Sequence, residues 1–141
     1  MNSYELVHTL SQYPVTVCTA DRIRKDRFVI SNTDTSGGPG KHWVVFYFPK
    51  RGPYEFFDSL GNSPKYYGVG FEKCLDKRYL MCNTQLQQST SNVCGLYCVY
   101  YVLKRCKGNT MRDIVEEFNA LNLNENDRLI VSKLKKMLTK A

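Results

Sequence analysis

The chain reads as an α+β domain: a small mixed or antiparallel sheet packed on a central helix, with further helices flanking it. Three observations predict this. Residues 94–107 are apolar nearly all round and are followed by Gly108, which marks a buried helix with a glycine stop. Short stretches rich in β-branched and aromatic residues precede it, at 15–18, 27–31, 42–48, 54–59 and 79–84. Two helical patterns follow it, at 111–121 and 125–138. Strands first and helices afterwards argue for α+β rather than for alternating parallel units. At 141 residues, 43% of them hydrophobic, the chain has the size of a single domain, 1–141, and can bury a core.

The elements follow in order. Residues 3–13 suit a short amphipathic helix with Ser3 as N-cap and Leu6 and Leu10 on one face, broken by Pro14. A glycine-rich loop, 32–41, contains Gly37, Gly38, Pro39 and Gly40 and leads into the clearest strand, 42–48. The turn 50–53 makes 54–59 its hairpin partner, and 66–78 is helical in part. Ser91 or Asn92 suits the N-cap of the central helix. Ile114, Val115 and Phe118 form one later apolar face; Leu129, Ile130, Leu134 and Leu138 form another.

Charge and cysteines narrow the function. Twenty Lys and Arg against thirteen Asp and Glu give a formal +7, which favours an anionic partner, nucleic acid first. Arg22, Arg24, Lys25 and Arg27 form one basic segment; Arg128, Lys133, Lys135, Lys136 and Lys140 form another. No apolar run approaches a membrane span, so no membrane partner is expected. The opening residues have no basic and apolar leader pattern, so a cell interior is expected rather than secretion, with the six cysteines as thiols. No Cys-x-x-Cys pair occurs and only His8 and His42 are present, so no metal site is expected.

Among those thiols Cys94 stands out. It lies where a polar loop meets the buried helix, where the helix dipole and free N–H groups favour a thiolate and can bind an oxyanion. Gly95 lets a substrate approach with no Cβ in the way. One more buried core thiol is the bland alternative, and position alone does not exclude it. His42 opens a strand after the glycine-rich loop, a rigid mount for a general base, though such a histidine is also commonly a plain surface residue. Asp58 ends the partner strand, within reach of His42; it also suits a turn start. Trp43 fits the core or a wall beside the imidazole. Both histidines precede Cys94, which excludes a papain-like Cys…His…Asn order and leaves His…Asp…Cys.

These segments resemble the adenovirus-type cysteine proteases (adenain). The stretch 86–98 has a Gln seven residues and a Ser three residues before the cysteine, followed by Gly95, Leu96, Tyr97 and Cys98. The His42-Trp43 strand, the acidic strand end at Asp58, where the adenoviral enzymes carry Glu, and the Asn32-Thr33 stretch also resemble that family. The more distant ubiquitin-like-protein proteases share the order His, Asp, Gln, Cys. The resemblance implies a papain-like or ubiquitin-like-protein-protease-type fold and a monomeric cysteine endopeptidase. In it Cys94 is the nucleophile, His42 the base, Asp58 its orienting carboxylate, and Gln87, with the Cys94 N–H, the oxyanion donor. Gln88, six residues before Cys94, is the second choice for that role, and Cys98 the second choice for nucleophile. Trp43 and Gly95 would border the substrate. Implied substrates are viral capsid and core precursors cut at Gly-containing sites during maturation, in the host cell and virion. The chemistry needs no cofactor, while DNA or an activating peptide would be partners of the kind adenain uses. The short chain suggests a relative from another DNA virus, a virophage or a virus-like transposon. Two rivals are a protease for ubiquitin- or SUMO-like modifiers and a non-catalytic basic nucleic-acid-binding module.

Overall fold

The computed structural model describes residues 2–34 and 42–139. Residues 35–41 of the glycine-rich loop and Lys140 lie outside them. Five strands, β1 Val15–Cys18, β2 Phe28–Asn32, β3 Trp43–Tyr47, β4 Tyr54–Phe57 and β5 Tyr79–Met81, form one sheet in chain order. β3 runs antiparallel to both its neighbours, while β1–β2 and β4–β5 are parallel. The sheet is therefore mixed, and the hairpin expected between β3 and β4 is present.

Both faces of the sheet are covered. Side chains alternate across a strand, so Phe28, Ile30, Val45 and Phe57 point into one core and Val29, Val44, Phe46 and Phe56 into another. All five β2 residues are consequently buried, which explains why the strand shows no polar alternation. The first core is filled by α3, Cys94–Cys106, with α1, Ser3–Thr9, α4, Met111–Val115, and α5, Leu123–Thr139, around it. The second is closed by α2, Val69–Cys74, and by 3-10 turns at Ala20–Arg22 and Pro64–Tyr67.

α3 is buried along most of its length, as its composition predicts. It stops where Gly108 adopts φ 96°: Gly108 N–H reaches Arg105 O at 3.0 Å and Asn109 N–H reaches Lys104 O at 3.1 Å, the paired bonds of a Schellman end. Its last turn is tied to β4 by an ion pair between half-buried Arg105 and buried Glu55. Arg105 Nε donates to Glu55 Oε1 at 3.0 Å and its Nη2 to Oε2 at 2.8 Å, while the Tyr101 hydroxyl also donates to Oε1.

Four local expectations need correction. Asn2, not Ser3, caps α1, its Oδ1 accepting from Glu5 N–H at 2.9 Å. Val93, not Ser91 or Asn92, is the N-cap of α3, and no side chain caps that helix. α4 ends at Val115 because Glu117 and Phe118 turn back in i→i+3 bonds to Ile114 and Val115. On α5 the buried stripe is Ile130 and Leu134 with Met137 beside them, and Leu138 is exposed.

Candidate active site

The ends of three elements meet. Extending the Val45↔Phe57 pairing by one step puts Asp58 across from Val44, diagonal to His42 on the same face. His42 is fixed by its own backbone, whose carbonyl accepts from Thr33 N–H at 2.8 Å. Its Nε2 lies 2.6 Å from Asp58 Oδ1, and both side chains are buried. Asp58 is fully enclosed yet well supplied with donors. Oδ1 also accepts from Leu60 N–H at 3.0 Å; Oδ2 accepts from Asn62 N–H at 3.3 Å and from the Tyr67 hydroxyl. The turn role and the orienting role of Asp58, alternatives in the sequence, are one arrangement: the carboxylate that caps the turn at 59–62 also faces His42.

Gly61 makes that turn possible. It has φ 77°, and a Cβ there would sit 2.8 Å from the backbone of Thr84 and Gln85. The 58–62 turn thus packs backbone to backbone on the loop that leads to Cys94.

Cys94 is the first residue of α3, and its thiol and the Asp58 carboxylate both act on the His42 ring. Burial alone would lift the Cys94 thiol, but its bonds with the His42 side chain and the Trp43 and Gly95 N–H groups bring it below the ordinary cysteine range. Burial would likewise lower His42, but its bonds to Asp58 and to Cys94 raise it to about 9. The pair therefore favours thiolate and imidazolium. The other five thiols behave oppositely: burial pushes Cys18, Cys74, Cys82 and Cys106 up, and fully enclosed Cys98 well up.

The two glutamines separate cleanly. Gln87 is buried next to the site: its Oε1 accepts from Ser59 Oγ at 2.6 Å, and its Nε2 donates to Ser91 O and Oγ at 3.1 Å. Gln88 turns away, its Nε2 bonded to Asn124 Oδ1 on α5 at 2.9 Å. Trp43 is half-buried against the main core and Gly95 is buried; both meet Cys94 through backbone N–H groups.

Sequence reasoning missed Tyr67 and Asn62. Tyr67 donates to Asp58, accepts from Asn62 Nδ2 at 3.2 Å, and stacks near His42 with ring centroids 6.0 Å apart. Asp58 followed by Gly61 and Asn62 is a readable turn signal, but nothing local says that a tyrosine nine residues on folds back to the carboxylate. Among the described residues no group of three or more His, Cys, Asp or Glu could hold a metal, and no helix is long and apolar enough to cross a membrane.

No family model matches the chain. Over 88 residues it is 31% identical to a cysteine protease of the Malawi tick isolate of African swine fever virus, a match covering 54% of this chain and 32% of the relative. A SUMO-1 cysteine protease from the Namibian warthog isolate matches at 30% identity with the same coverage. The chain thus spans about a third of the length of the curated relatives it matches. Among solved structures, the African swine fever virus protease crystal structure aligns at TM-score 0.46 and 25% identity, over 72% of this chain and 41% of that one. The central domain of the uncharacterized Lpg1148 protein from Legionella pneumophila aligns at TM-score 0.54 and 15% identity, over 99% of this chain and 96% of that one, which is a likeness of fold.

Proposed function

We propose that the chain is a cysteine peptidase whose catalytic groups are Cys94, His42, Asp58 and Gln87. The observation that carries this is the thiol of Cys94: of six cysteines it is the one lowered below the ordinary range, and it sits beside the His42–Asp58 pair. Similarity to viral cysteine proteases supports the same reading.

The chemistry follows from the geometry. The Cys94 thiolate attacks the scissile carbonyl carbon, and the carbonyl electron pair moves onto oxygen. Uncapped N–H groups at the start of α3, that of Cys94 included, face that charge. Gln87 Nε2 joins them by exchanging its bond to Ser91 Oγ for the oxyanion; Ser91 Oγ keeps Gln88 O as partner at 3.1 Å. The His42 imidazolium gives its proton to the leaving amine, leaving a thioester on Cys94. His42 then takes a proton from water, which releases the acid and restores the thiolate. Asp58 stays ionised and holds the ring in place.

Iodoacetamide at pH 6 should label Cys94 well ahead of the other thiols, and Cys94→Ala or His42→Ala should abolish turnover. Equal, slow labelling of all six would favour a basic nucleic-acid-binding module instead.

Two substrate classes are supported. The adenain resemblance points to viral structural precursors cut at Gly-containing sites, while the SUMO-1 protease among the relatives points to the C-terminus of a SUMO-like modifier. A Gly-containing fluorogenic peptide beside a fluorogenic SUMO C-terminus decides between them. DNA or an activating peptide belongs to the first reading as a partner.

A further inference from the structure

The segment carrying Gln87 is gripped from the far side by the last helix. Gln87 N–H and Leu86 N–H both donate to Ser59 O, at 3.0 and 2.8 Å, from the sheet side. From α5, Asn126 Nδ2 donates to Leu86 O at 3.0 Å, and Asp127 Oδ2 accepts from Gln88 N–H at 3.3 Å. The peptide groups immediately before and after Gln87 are therefore each held by an α5 side chain. Asn126 is buried and its other bonds, to Asn119 O at 2.8 Å and from Asn119 N–H at 2.9 Å, fix the turn that starts α5. Asp127 Oδ1 accepts from the Tyr97 hydroxyl at 2.9 Å, and Tyr97 lies one turn after Cys94 on α3. Asp127 thus bridges the nucleophile's helix and the glutamine's loop.

We propose that Asp127, with Asn126, is a positioning residue: α5 acts as a latch that sets the Gln87 amide relative to Cys94 while touching neither substrate nor thiol. This rests on the reading of Gln87 as oxyanion donor. A carboxylate accepts at both oxygens, whereas an amide accepts at one and presents N–H at the other. Asp127→Asn at unchanged size removes the charge: its one acceptor oxygen leaves a neutral bond to Gln88 N–H in place of a charge-assisted one, while its Nδ2 donates to the Tyr97 hydroxyl, whose proton turns to Leu86 O 3.4 Å away.

The test compares wild type, Asp127→Asn, Tyr97→Phe, Gln87→Ala and the Gln87→Ala/Asp127→Asn double variant on the fluorogenic substrate that wild type hydrolyses. Cys94 labelling at pH 6 and deuterium uptake across 86–88 are read in parallel. Asp127→Asn should lower kcat about tenfold, the rate equivalent of one weakened hydrogen bond to a developing charge, with KM within about twofold. Labelling of Cys94 should not change, deuterium uptake at 86–88 should rise, and Tyr97→Phe should show the same pattern more weakly. In the Gln87→Ala background the same change should add nothing, because two groups acting as one unit are not additive. Unchanged deuterium uptake in Asp127→Asn, unchanged kcat, an equal loss in the Gln87→Ala background, or slowed Cys94 labelling would each overturn the latch. Gln87→Ala turning over at the wild-type rate would instead remove the oxyanion reading, and the latch with it.

Discussion

His42 is held between two partners of opposite demand, and that sets the pH range of the site. Its ordinary pKa is 6.5; Asp58 and the Cys94 sulfur raise it to about 9 against the lowering effect of burial. A raised base keeps its proton until the pH passes the raised value, and a lowered thiol loses its proton early. Turnover should rise as Cys94 ionises, below the ordinary cysteine range, and fall as His42 deprotonates near 9. The kcat/KM profile measures both limbs; an alkaline limb in the ordinary histidine range would break the pairing. Tyr67 is a second residue-scale case. Its hydroxyl is one of the donors that make the buried Asp58 charge tolerable, so Tyr67→Phe should cost about 1.5–3 kcal/mol in urea unfolding. Cys94, His42 and Asp58 were legible in the sequence because each ends or begins a recognisable element. Tyr67 was not, because its role depends on a 3-10 turn folding back across the strand end. Gln87 could be ranked above Gln88 only through a resemblance; the reason visible in space is that α5 pulls Gln88 away.

At the scale of elements, the strands, the central helix and the start of α4 at Met111 follow from the sequence, whereas the caps of α1 and α3 do not. α3 begins at Cys94 after an N-cap, Val93, that offers no side-chain acceptor, while Ser91, one of the two expected caps, bonds Gln87 and Gln88 instead. The Cys94 N–H this leaves uncapped is the group that the proposed oxyanion site would use, so the local rule would fail where a site needs it to. Two glycines give an internal control. Gly61 and Gly52 both have positive φ, 77° and 86°, but a Cβ at Gly61 meets backbone at 2.8 Å while one at Gly52 meets nothing within 4 Å. Gly52→Ala should cost about 1–2 kcal/mol, the left-handed penalty alone. Gly61→Ala should cost clearly more and also lower kcat, since it pushes the Asp58 turn off the loop at Thr84 and Gln85. Urea unfolding of the two variants checks the order. The β4–α3 tie is the other element-scale test. Arg105→Ala leaves the buried Glu55 charge with only the Tyr101 hydroxyl, and a loss of about 3–5 kcal/mol is expected.

At the scale of the whole molecule, charge and chemistry occupy opposite ends of α3. Its 13 residues separate Cys94 from Cys106 by about 18 Å. Around the far end, Arg27 lies near Cys106 and its carbonyl accepts from Phe48 N–H, which places the Lys50–Arg51 turn beside it. Arg78 O accepts from Tyr54 N–H, and Lys77 sits over the Tyr54 ring at 4.4 Å, so β5 brings its cations to the same end. The segments read as basic from sequence are partly spent: Lys133 bonds Glu117 at 2.8 Å and Lys25 bonds Asp76 at 2.5 Å. The adjacent exposed cations of the sheet end, rather than those of α5, are therefore the expected contact for a polyanion. If DNA is a partner, binding should be sequence-independent and weaken steeply with salt, log K falling by about 0.9 per phosphate neutralised for each tenfold rise in salt. Arg27→Glu with Arg51→Glu should flatten that slope more than Lys135→Glu with Lys136→Glu, as fluorescence anisotropy on a labelled duplex would measure. Because the contact lies a helix length from Cys94, saturating DNA should leave the iodoacetamide rate of Cys94 unchanged. Protection of Cys94 by the duplex, or a slope indifferent to the Arg27 and Arg51 changes, would place the nucleic acid elsewhere on the molecule.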